Sequence, residues 1–568
     1  MDMSMDIQLN IKRVLSEKTG LREFILEVPP EGMGDYAFPC FSLAKLRKQS
    51  PSIIATALAQ EVGKIAGVSQ IKAVGPYVNF FVDTTLLLTY TLNSILTAKE
   101  DYGTHPKTGK KVVSEYLSPN TNKPLHLGHL RNVSLGYSIS RLCEALGHKV
   151  VQVNLMNDRG IHICKSMVAY KHFGNNKAPD IKSDHFVGNY YVLFNEKSKT
   201  HPELEEEAQQ MLIAWEKGEK EIVDLWRKMN SWAEEGFMQT IRRLGIEFRK
   251  HYYESKFYFK GKKVVFEGLK QGLFEKDETG AVLVKLEQFG LPNKVLLRSD
   301  GTSVYMTQDI YLAILKHKEW KYDESLYVVA SEQNMHFQQL FKILEIIKFP
   351  RAESLHHISY GMVLLPEGKM KSREGNVVDA DELIDDMISL AQHEIMIRWK
   401  DITHEELMER ARIIGIGALK FHLLKTDPLK DMVFDPKESI SFDGETGPYV
   451  QYAHARAASI LRKIGRTNGK KMVASLSKLH APEEVAVAKL LAIYPDKVTA
   501  AAMQYKPSII AHYLIELTHA FSSFYHECPV LDVGDEELRL ARIALVMCVK
   551  QVQKNGLALL GIEAPEVM

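Results

Sequence analysis

A strand–helix–strand pattern at residues 111–156 constrains the fold more strongly than any other part of the sequence. The apolar run "KVVSEYL" (111–117) predicts a buried strand, and "KVVQVNLM" (149–156) predicts a second one. Between them a helical pattern extends from about Leu127 to Leu146, where a glycine ends it. A strand, a helix and a strand in this order form neighbouring parallel strands, so the sequence predicts an α/β domain with a parallel sheet.

The remaining sequence predicts separate units on either side of this domain. Strand-like runs recur at "AVLVKL" (281–286), "SLYVVA" (325–330) and "HHISYGMVLL" (356–365), and from Asp379 onward the periodicity is helical. The turn-rich basic segment "DYGTHPKTGKK" (101–111) predicts a linker. In chain order the predicted units are an α+β unit at 1–104, the α/β domain at 105–378 with a charged helical insertion at about 172–260, a helical connector at 379–440 and a helical domain at 441–568.

Composition narrows the class of protein. The net charge of +1 over 568 residues means that any polyanionic partner must be met by local basic patches. The five cysteines are dispersed and form no CxxC pair, which argues against a structural zinc site and fits a reducing compartment. The sequence shows no secretory signal and no run of 18 apolar residues, so we expect a cytoplasmic protein without membrane contact.

The segment "SPNTNKPLHLGHLRN" (118–132) predicts an anion-binding turn at the start of the first helix. His126 and His129 are three residues apart and share one helix face. The N-terminus of a helix carries unpaired N–H groups and attracts phosphate, and Gly128 lets a flat ring or a phosphate approach the backbone closely. Two satisfied histidines are the commoner reading of a bare HxxH, and a metal pair would need further ligands that do not stand nearby in the sequence.

A second element, "PEGKMKSREGN" (366–376), follows a predicted strand and precedes a helix capped by Asp379 or Asp381. Its cations are Lys369, Lys371 and Arg373. A glycine-flanked loop with three cations at the end of a parallel strand could clamp a polyphosphate. Taken alone it could equally be a solvated basic loop.

Together the two motifs resemble a known family. HLGH resembles the "HIGH" signature of class I aminoacyl-tRNA synthetases, and KMKSR resembles their "KMSKS" loop. The similarity to arginyl-tRNA synthetases in particular runs from about residue 8 to the C-terminus, although the letters DALR of the family's anticodon domain do not occur. Further segments that carry it are "GDYAFPCFSLAK" (34–45), "VGPYVNFFV" (74–82), "DGTSVYMTQDI" (300–310), "SEQNMHF" (331–337), "TGPYVQYAHARAASIL" (446–461) and "GIEAPEVM" (561–568).

This resemblance implies a fold and an activity. The fold is a Rossmann-type parallel-sheet catalytic domain with an N-terminal α+β domain that touches the tRNA corner and a C-terminal all-α, DALR-type anticodon-binding domain. The activity is ligation of L-arginine to tRNA(Arg) with ATP, through an arginyl-adenylate. Mg²⁺ would arrive with ATP, and no tightly bound cofactor or protein metal site is expected.

The resemblance also implies the residues that handle ATP. His126 and His129 would contact the phosphates, and the adenine would pack over Gly128. Met370 and Ser372 of the loop would also contact ATP. Lys369, Lys371 and Arg373 would close on the leaving pyrophosphate. In this sequence Lys371 stands in the third loop position, which departs from the family pattern, and Lys123 just before HLGH could compensate for a missing loop lysine.

An arginine pocket needs carboxylates, because a guanidinium presents five donors in a fixed fork. Tyr305 and Asp309 are four residues apart on one helix face, and Gln333 follows a strand at the carboxyl edge of the sheet. These positions match those that bind arginine in the family. The resemblance implies that Tyr305 and Asp309 bind the side chain, and that Glu115, Asn120, His126 and Gln333 contact the side chain or the α-amino group.

Other class I specificities fit less well. Valyl and isoleucyl enzymes need an editing domain, since one methylene is worth only about 1–3 kcal/mol of discrimination. The 240 residues between His129 and Lys369 also hold half of the predicted sheet and leave little room for such a domain. A cysteinyl enzyme would need zinc thiolates, which this cysteine pattern does not provide.

The helical end of the chain predicts a nucleic-acid surface. Residues 446–480 hold seven Lys or Arg and no Asp or Glu, with Tyr449 and Tyr452 available for stacking. A helical bundle with one solvated charged face is the plainer alternative. The predicted tRNA contacts are Tyr449, Tyr452, Arg456, Arg462, Lys463 and Arg466.

Two other functions remain compatible with parts of the sequence. A non-ligase nucleotidyltransferase of the same superfamily would have no use for the C-terminal helical domain. A catalytically inactive tRNA-binding relative would be expected to have lost HLGH or the basic loop, and both are present. We expect the active protein to be a monomer.

Overall fold

A computed structural model describes residues 7–27, 29–30, 32–364, 366, 378–399, 401–464 and 469–568, with the side chains of 469 and 470 left aside. The predicted loop residues Lys369, Met370, Lys371, Ser372 and Arg373 lie outside the described residues, as does Arg466. None of the described helices is both long enough and apolar enough to cross a membrane.

Five parallel strands form the central sheet of the described chain. Their order is β11-β10-β4-β5-β6. The elements of this region are β4 (Lys111–Glu115), α5 (Leu127–Ala145), β5 (Lys149–Met156), α6 (Ile161–Phe173), α7 (Ser183–Lys197), α8 (Glu203–Lys217), α9 (Lys220–Arg243), β6 (Lys250–Tyr253), α10 (Gly261–Lys270), β7 (Glu275–Lys276), β8 (Val282–Val284), β9 (Lys294–Leu297), α11 (Tyr305–Trp320), β10 (Glu324–Ala330), α12 (Asn334–Ile346), β11 (Leu355–Tyr360) and β12 (Val363–Leu364). The predicted α/β class is confirmed.

The first helix of this region is the centre of the molecule. Almost the whole of α5 is buried, because it lies between the sheet and the helices that follow the domain. Its Asn132 side chain donates to the Val328 carbonyl (2.8 Å) and to the Tyr360 hydroxyl (2.9 Å) and accepts from the Leu117 N–H. These bonds fix α5 to three segments at the carboxyl edge of the sheet and so fix where the helix starts.

The predicted insertion at about 172–260 is too long at its C-terminal end. Four helices, α6 to α9, do form a layer with its own apolar core, but Lys250–Tyr253 is a strand of the main sheet, paired with β5. The strand "KHYY" has only four residues and starts with two polar ones, so its sequence does not stand out as a strand after the long helical pattern before it. The predicted strand "AVLVKL" also lies outside the main sheet, since β8 pairs only with β7 and β9 among the described strands.

The N-terminal unit has its own small core. Its sheet has the order β1-β3-β2 and is antiparallel, with helices packed on one side. The last helix of the predicted unit behaves differently: Leu88, Leu92 and Ile95 of α4 join the main core, and the Cys548 thiol meets the Leu92 carbonyl at 3.5 Å. The elements are α1 (Ile7–Thr19), β1 (Tyr36–Pro39), α2 (Phe41–Arg47), α3 (Pro51–Glu61), β2 (Val68–Val74), β3 (Tyr77–Val82) and α4 (Thr84–Ala98).

Beyond the sheet the described chain is almost entirely helical, as predicted. Side-chain caps mark several helix starts, such as Asp379 before α13 and the reciprocal pair Thr403 and Glu406 at the start of α14. The elements are α13 (Ala380–Arg398), α14 (His404–Lys425), β13 (Met432–Val433), α15 (Pro436–Ser439), α16 (Gly447–Ile464), α17 (Gly469–Ala474), α18 (Pro482–Ala492), α19 (Tyr494–Met503), α20 (Ser508–Glu527) and α21 (Glu536–Leu559).

The run "HHISYGMVLL" is predicted as one strand, but the structure divides it. The chain leaves the main sheet after Tyr360, and β12 pairs instead with β13. Gly361 permits this exit, because a Cβ atom there would lie 2.5 Å from the Lys430 carbonyl carbon. Arg131 of α5 fastens the crossing: its guanidinium donates to the carbonyls of Met362 (3.0 Å), Pro428 (3.2 Å) and Lys430 (2.8 Å).

We predict that Arg131→Met destabilises the protein by about 2–4 kcal/mol, because buried carbonyls lose their donors. Burial lowers the pKa of Arg131 to about 10, so the guanidinium stays charged at neutral pH. Arg141→Met on the same helix is the matched control, since Arg141 is partly exposed and pairs with Glu144. Urea unfolding of both variants measures the difference, and equal midpoints would contradict this role of Arg131.

Candidate active site

The turn that joins β4 to α5 is strained and held by asparagines. Leu117 and Ser118 both adopt positive φ (81° and 49°), which is costly for residues other than glycine. Three side-chain amides hold this shape: Asn132 accepts from Leu117 N–H, Asn154 accepts from Ser118 N–H at 3.0 Å, and Asn157 donates to the Ser118 carbonyl at 3.0 Å. A turn held so firmly places the following residues at the carboxyl edge of the sheet, where parallel sheets bind ligands.

The two predicted histidines form one unit at the start of α5. His126 is the N-cap, and its Nδ1 accepts from the Gly128 N–H at 3.1 Å. His129 reaches back, and its Nδ1 accepts from the His126 N–H at 3.2 Å. The ring centroids are 3.9 Å apart. Because Nδ1 of each ring is an acceptor, the proton of each neutral ring must sit on Nε2.

Both rings are held in the neutral form. Burial, followed by the charge of nearby Lys123, lowers the pKa of His126 to about 4. Burial also places the pKa of His129 well below its ordinary value, with help from His126 and Lys123. In the described part of the chain neither Nε2 makes a hydrogen bond, and both rings are only half-buried. The start of α5 therefore offers the two Nε2–H donors and the Lys123 ammonium to an anion, since its first backbone N–H groups already have acceptors within the protein.

Gly128 has a second role that the sequence does not reveal. A Cβ atom at this position would lie 2.9 Å from Cε1 and 3.0 Å from Nδ1 of His126. The His126 ring can fold back over the first turn only because residue 128 has no side chain. The glycine thus serves the cap itself as well as any ligand that approaches the backbone.

The segment that leaves the KMKSR loop is bonded to the same helix start. Leu127 N–H donates to the Val378 carbonyl at 3.0 Å, and Ala380 N–H donates to the Leu125 carbonyl at 3.0 Å. His126 and Asp379 form a backbone bridge between these two bonds. Residues 378–380, which follow the second motif in the chain, are therefore joined by backbone pairing to the start of α5.

A buried charge cluster secures the start of α13 to the helical layer. The Asp381 carboxylate accepts from Lys182 (2.9 Å), Thr240 (2.8 Å) and Arg243 (2.9 Å). Ligand atoms of Asp184, His185 and Asp381 lie within 4.8 Å of one another, a spacing that could suit a metal ion. The Lys182 ammonium already lies between the two carboxylates, 2.7 Å from Asp184, and supplies the cation that they need.

The residues of the predicted arginine pocket come from β4 and the turn after it, from α11, and from the turn after β10. Tyr305 begins α11 and is 69% exposed, and Asp309 follows one turn later. The Asp309 carboxylate is 2.6 Å from His336 Nε2, a partner that the sequence analysis missed. Gln333 ends a short 3₁₀ turn after β10, and Asn120 lies in the β4–α5 turn, where it forms a bridge with Asn157. Both Gln333 and Asn120 are exposed at the carboxyl edge of the sheet.

Glu115 differs from the other pocket residues because it already has a cation. Its Oε2 lies 2.8 Å from the Lys316 ammonium, which is fully buried. The same ammonium lies 3.7 Å above the Tyr327 ring, and Tyr327 is the register partner of Glu115 in the sheet. The charge of Glu115 is therefore neutralised inside the protein. Its other carboxylate oxygen can still accept a hydrogen bond from a ligand.

Three further residues of this edge also went unpredicted. Asp158 and Arg159 follow β5 directly, and Glu254 follows β6. Asp158 and Arg159 could have been predicted from their position after a predicted parallel strand. Glu254 could not, because the sequence did not predict the strand β6 that precedes it.

The predicted tRNA surface contains one well-formed aromatic and cationic cluster. The Arg456 guanidinium lies 4.7 Å from the Tyr452 ring centroid and 5.1 Å from that of Tyr525. Tyr449 packs against His519, with centroids 5.4 Å apart. Other predicted cations of the stretch are engaged differently. Arg462 donates to the Glu566 carbonyl, Lys478 pairs with Asp535 and Glu537, and Lys463 is exposed.

Comparison with known proteins gives a consistent result along the whole chain. The profile of the class I (R) tRNA synthetase catalytic domain matches residues 91–436. The DALR anticodon-binding domain matches 450–568, and the N-terminal domain of arginyl-tRNA synthetases matches 5–82.

Individual proteins agree with these domain matches. The chain is 48% identical to an arginine–tRNA ligase of Treponema denticola, over 96% of this chain and 94% of that protein. It is 42% identical to one of Amoebophilus asiaticus, over 94% of both. The arginyl-tRNA synthetase structure from Thermus thermophilus superposes with a TM-score of 0.87 at 29% identity and covers both chains fully.

We predict that His126 and His129 stay neutral and Nε2-protonated from about pH 5.5 to about pH 8. Both pKa values are lowered, so protonation occurs only below this window. His185 is the internal control, because the neighbouring carboxylates of Asp381 and Asp379 raise its pKa, and it should gain a proton first as the pH falls. Nitrogen-15 spectra of histidine-labelled protein, assigned with single substitutions, report the tautomer and charge. If His126 or His129 gained its proton at a higher pH than His185, the prediction would be wrong.

Proposed function

The chain belongs to the arginyl-tRNA synthetase family, whose members join L-arginine to tRNA(Arg) through an arginyl-adenylate made from ATP, and we propose that this chain does so at the start of α5. The resemblance, the fold class and the enzyme class predicted from the sequence are confirmed. The observation that supports the location is the pairing of His126 and His129 at a helix N-terminus bonded to the exit of the KMKSR loop.

In the proposed activation step the arginine carboxylate attacks the α-phosphate of MgATP in line, and pyrophosphate leaves. Catalysis of this kind depends on positioning and on charge stabilisation. The Nε2–H groups of His126 and His129 would donate to phosphate oxygens, with the adenine packed over Gly128. The cations of the KMKSR loop and Lys123 would take up the charge on the leaving pyrophosphate. Mg²⁺ enters with the ATP substrate.

The arginine side chain would be read by Asp309, with Tyr305 beside it. Asp309 is the predicted pocket carboxylate whose described partner is a histidine and not a lysine or arginine, so it can exchange that partner for a guanidinium. Glu115 would contribute a hydrogen-bond acceptor rather than a free charge, because Lys316 neutralises it. Asn120 and Gln333 remain proposed contacts for the polar main-chain end of the substrate.

The tRNA would bind across the helical domain and the N-terminal unit. The cluster of Arg456 with Tyr452 and Tyr525 supports stacking of an unpaired anticodon base between cationic and aromatic groups. We also propose that the protein acts in the cytoplasm as a monomer. All five cysteines are buried thiols, which fits a reducing compartment.

Aminoacylation of a tRNA pool with each of the twenty amino acids tests the function. Arginine alone should be charged. Pyrophosphate exchange run in parallel, without tRNA and with tRNA(Arg) oxidised at its terminal ribose, separates activation from transfer. Charging of another amino acid at a comparable rate would overturn the assignment.

We predict that Asp309→Asn raises the KM for arginine by about 10–100-fold, because one charge-assisted hydrogen-bonded pair is lost. The KM for ATP should stay within about twofold, since the change is remote from the phosphate site. Asp323→Asn is the control, because Asp323 is a partly exposed carboxylate that pairs with Arg351. An unchanged arginine KM in the Asp309 variant would show that another group reads the guanidinium.

We predict that Arg456→Ala raises the KM for tRNA by about tenfold through the loss of one cation and its stacking surface. The arginine and ATP constants should not move. Arg539→Ala serves as the control, because this partly exposed arginine pairs with Glu536 on its own helix and is not part of the aromatic cluster. Steady-state charging at varied tRNA concentration measures the effect. Equal tRNA constants for the two variants would remove Arg456 from the interface.

A further inference from the structure

Glu254 lies where two neighbouring parallel strands end, close to the start of α11. It is the first residue of the 3₁₀ turn Glu254–Lys256 that follows β6, and Asp158 and Arg159 follow the adjacent strand β5. This edge is where open parallel sheets bind their ligands. The side chain of Glu254 is only 5% exposed, so its charge needs a partner.

The neighbours of Glu254 are already committed to other groups. Asp158 is satisfied by Ser255, whose N–H and hydroxyl donate to its two oxygens at 2.8 and 2.6 Å. Arg159 makes its close ion pair with Glu216, at 2.6 Å, and lies 3.9 Å over the Tyr258 ring. Arg159 Nη1 lies 3.6 Å from Glu254 Oε1, which is a longer contact than the one to Glu216. Glu254 is therefore a buried carboxylate with incomplete charge compensation.

The electrostatics link Glu254 to the pocket. Burial raises the pKa of Glu254 to about 7. Arg159 and a hydrogen bond from the neutral Gln308 side chain oppose this shift, while the carboxylates of Asp158 and Asp309 add to it. Although much of the Tyr305 side chain is exposed, its partial burial raises its pKa; Glu254 and Asp309 add to this shift, and two arginines oppose it. Both carboxylates thus act on the first turn of α11.

We propose that Glu254 is a specificity-determining residue of the arginine pocket, a second carboxylate that acts beside Asp309 to select a cationic side chain. The proposal rests on the proposed function of the site. A guanidinium has five donors, more than one carboxylate can accept, and Glu115 is already paired with Lys316. A bound guanidinium would supply the charge that Glu254 lacks in the free protein.

The proposal carries a pH dependence with a definite sign. A carboxylate with a raised pKa is protonated at low pH and ionised at high pH, so arginine should bind more tightly as the pH rises through about 7. The groups that face Glu254 are Arg159 from the start of α6, Asp158 after β5, and Tyr305, Gln308 and Asp309 from α11. His336, the partner of Asp309, lies in the first turn of α12.

The test measures the arginine KM in tRNA charging from about pH 6 to about pH 8.5 for the wild type, Glu254→Gln, Glu254→Asp and Glu216→Gln. Glu216 is the matched control, because it is the other carboxylate on Arg159 but lies outside the pocket. At high pH we expect Glu254→Gln to raise the arginine KM by about tenfold or more, with the ATP KM unchanged. The wild type, Glu254→Asp and Glu216→Gln should retain a KM that falls with rising pH, and Glu254→Gln should show a flatter profile.

Selection for charge adds a second readout. Citrulline is the neutral analogue of arginine. It should inhibit charging by the wild type only weakly, whereas in Glu254→Gln its inhibition constant should be close to the arginine KM of the same variant. The proposal is overturned if Glu254→Gln keeps the wild-type KM and pH profile, or if Glu216→Gln is equally impaired, since the role would then belong to Arg159. If Glu254→Gln does not fold, a pH-independent wild-type KM overturns it. Failure of the wild type to charge arginine at any pH would instead reject the proposed function.

Discussion

The start of α5 is the constraint on which the rest of the site depends. Its first turn is capped by His126, fixed to the sheet by Asn132, and paired through its backbone with residues 378–380. Each contact comes from a different part of the sequence, so the helix end cannot move without disturbing the sheet, the connector and the loop exit together. A polar end held this firmly is already arranged for an anion and requires little reorganisation when one binds.

The carboxylates of the proposed arginine pocket are of two kinds. Glu115 is paired with a fully buried lysine, and breaking such a pair would leave an uncompensated charge in the interior. Asp309 and Glu254 have weaker partners: Asp309 contacts a histidine, and Glu254 has a guanidinium 3.6 Å away. We therefore propose that the charge available to a substrate lies near the first turns of α11, whereas Lys316 of the structural ion pair lies near the end of the same helix.

The sequence predicts local features well and distant pairings poorly. The β4–α5–β5 unit, the cap at Asp379 and the helical C-terminal region follow from periodicity and capping chemistry within short windows. The ion pair of Glu115 with Lys316 joins residues 201 positions apart, and no local pattern indicates it. The strand β6 was hidden by its four-residue length, and with it the position of Glu254. Likewise, the bonding of α5 to residues 378–380 depends on the folded chain.

The most direct test of this account is a crystal structure with a stable arginyl-adenylate analogue bound. We expect the adenine over Gly128, the phosphate-equivalent oxygens at Nε2 of His126 and His129, and the guanidinium against Asp309, with the Glu115–Lys316 pair intact. A nucleotide bound away from the start of α5 would contradict this assignment, as would a guanidinium that displaces Lys316 and takes Glu115 as its main partner.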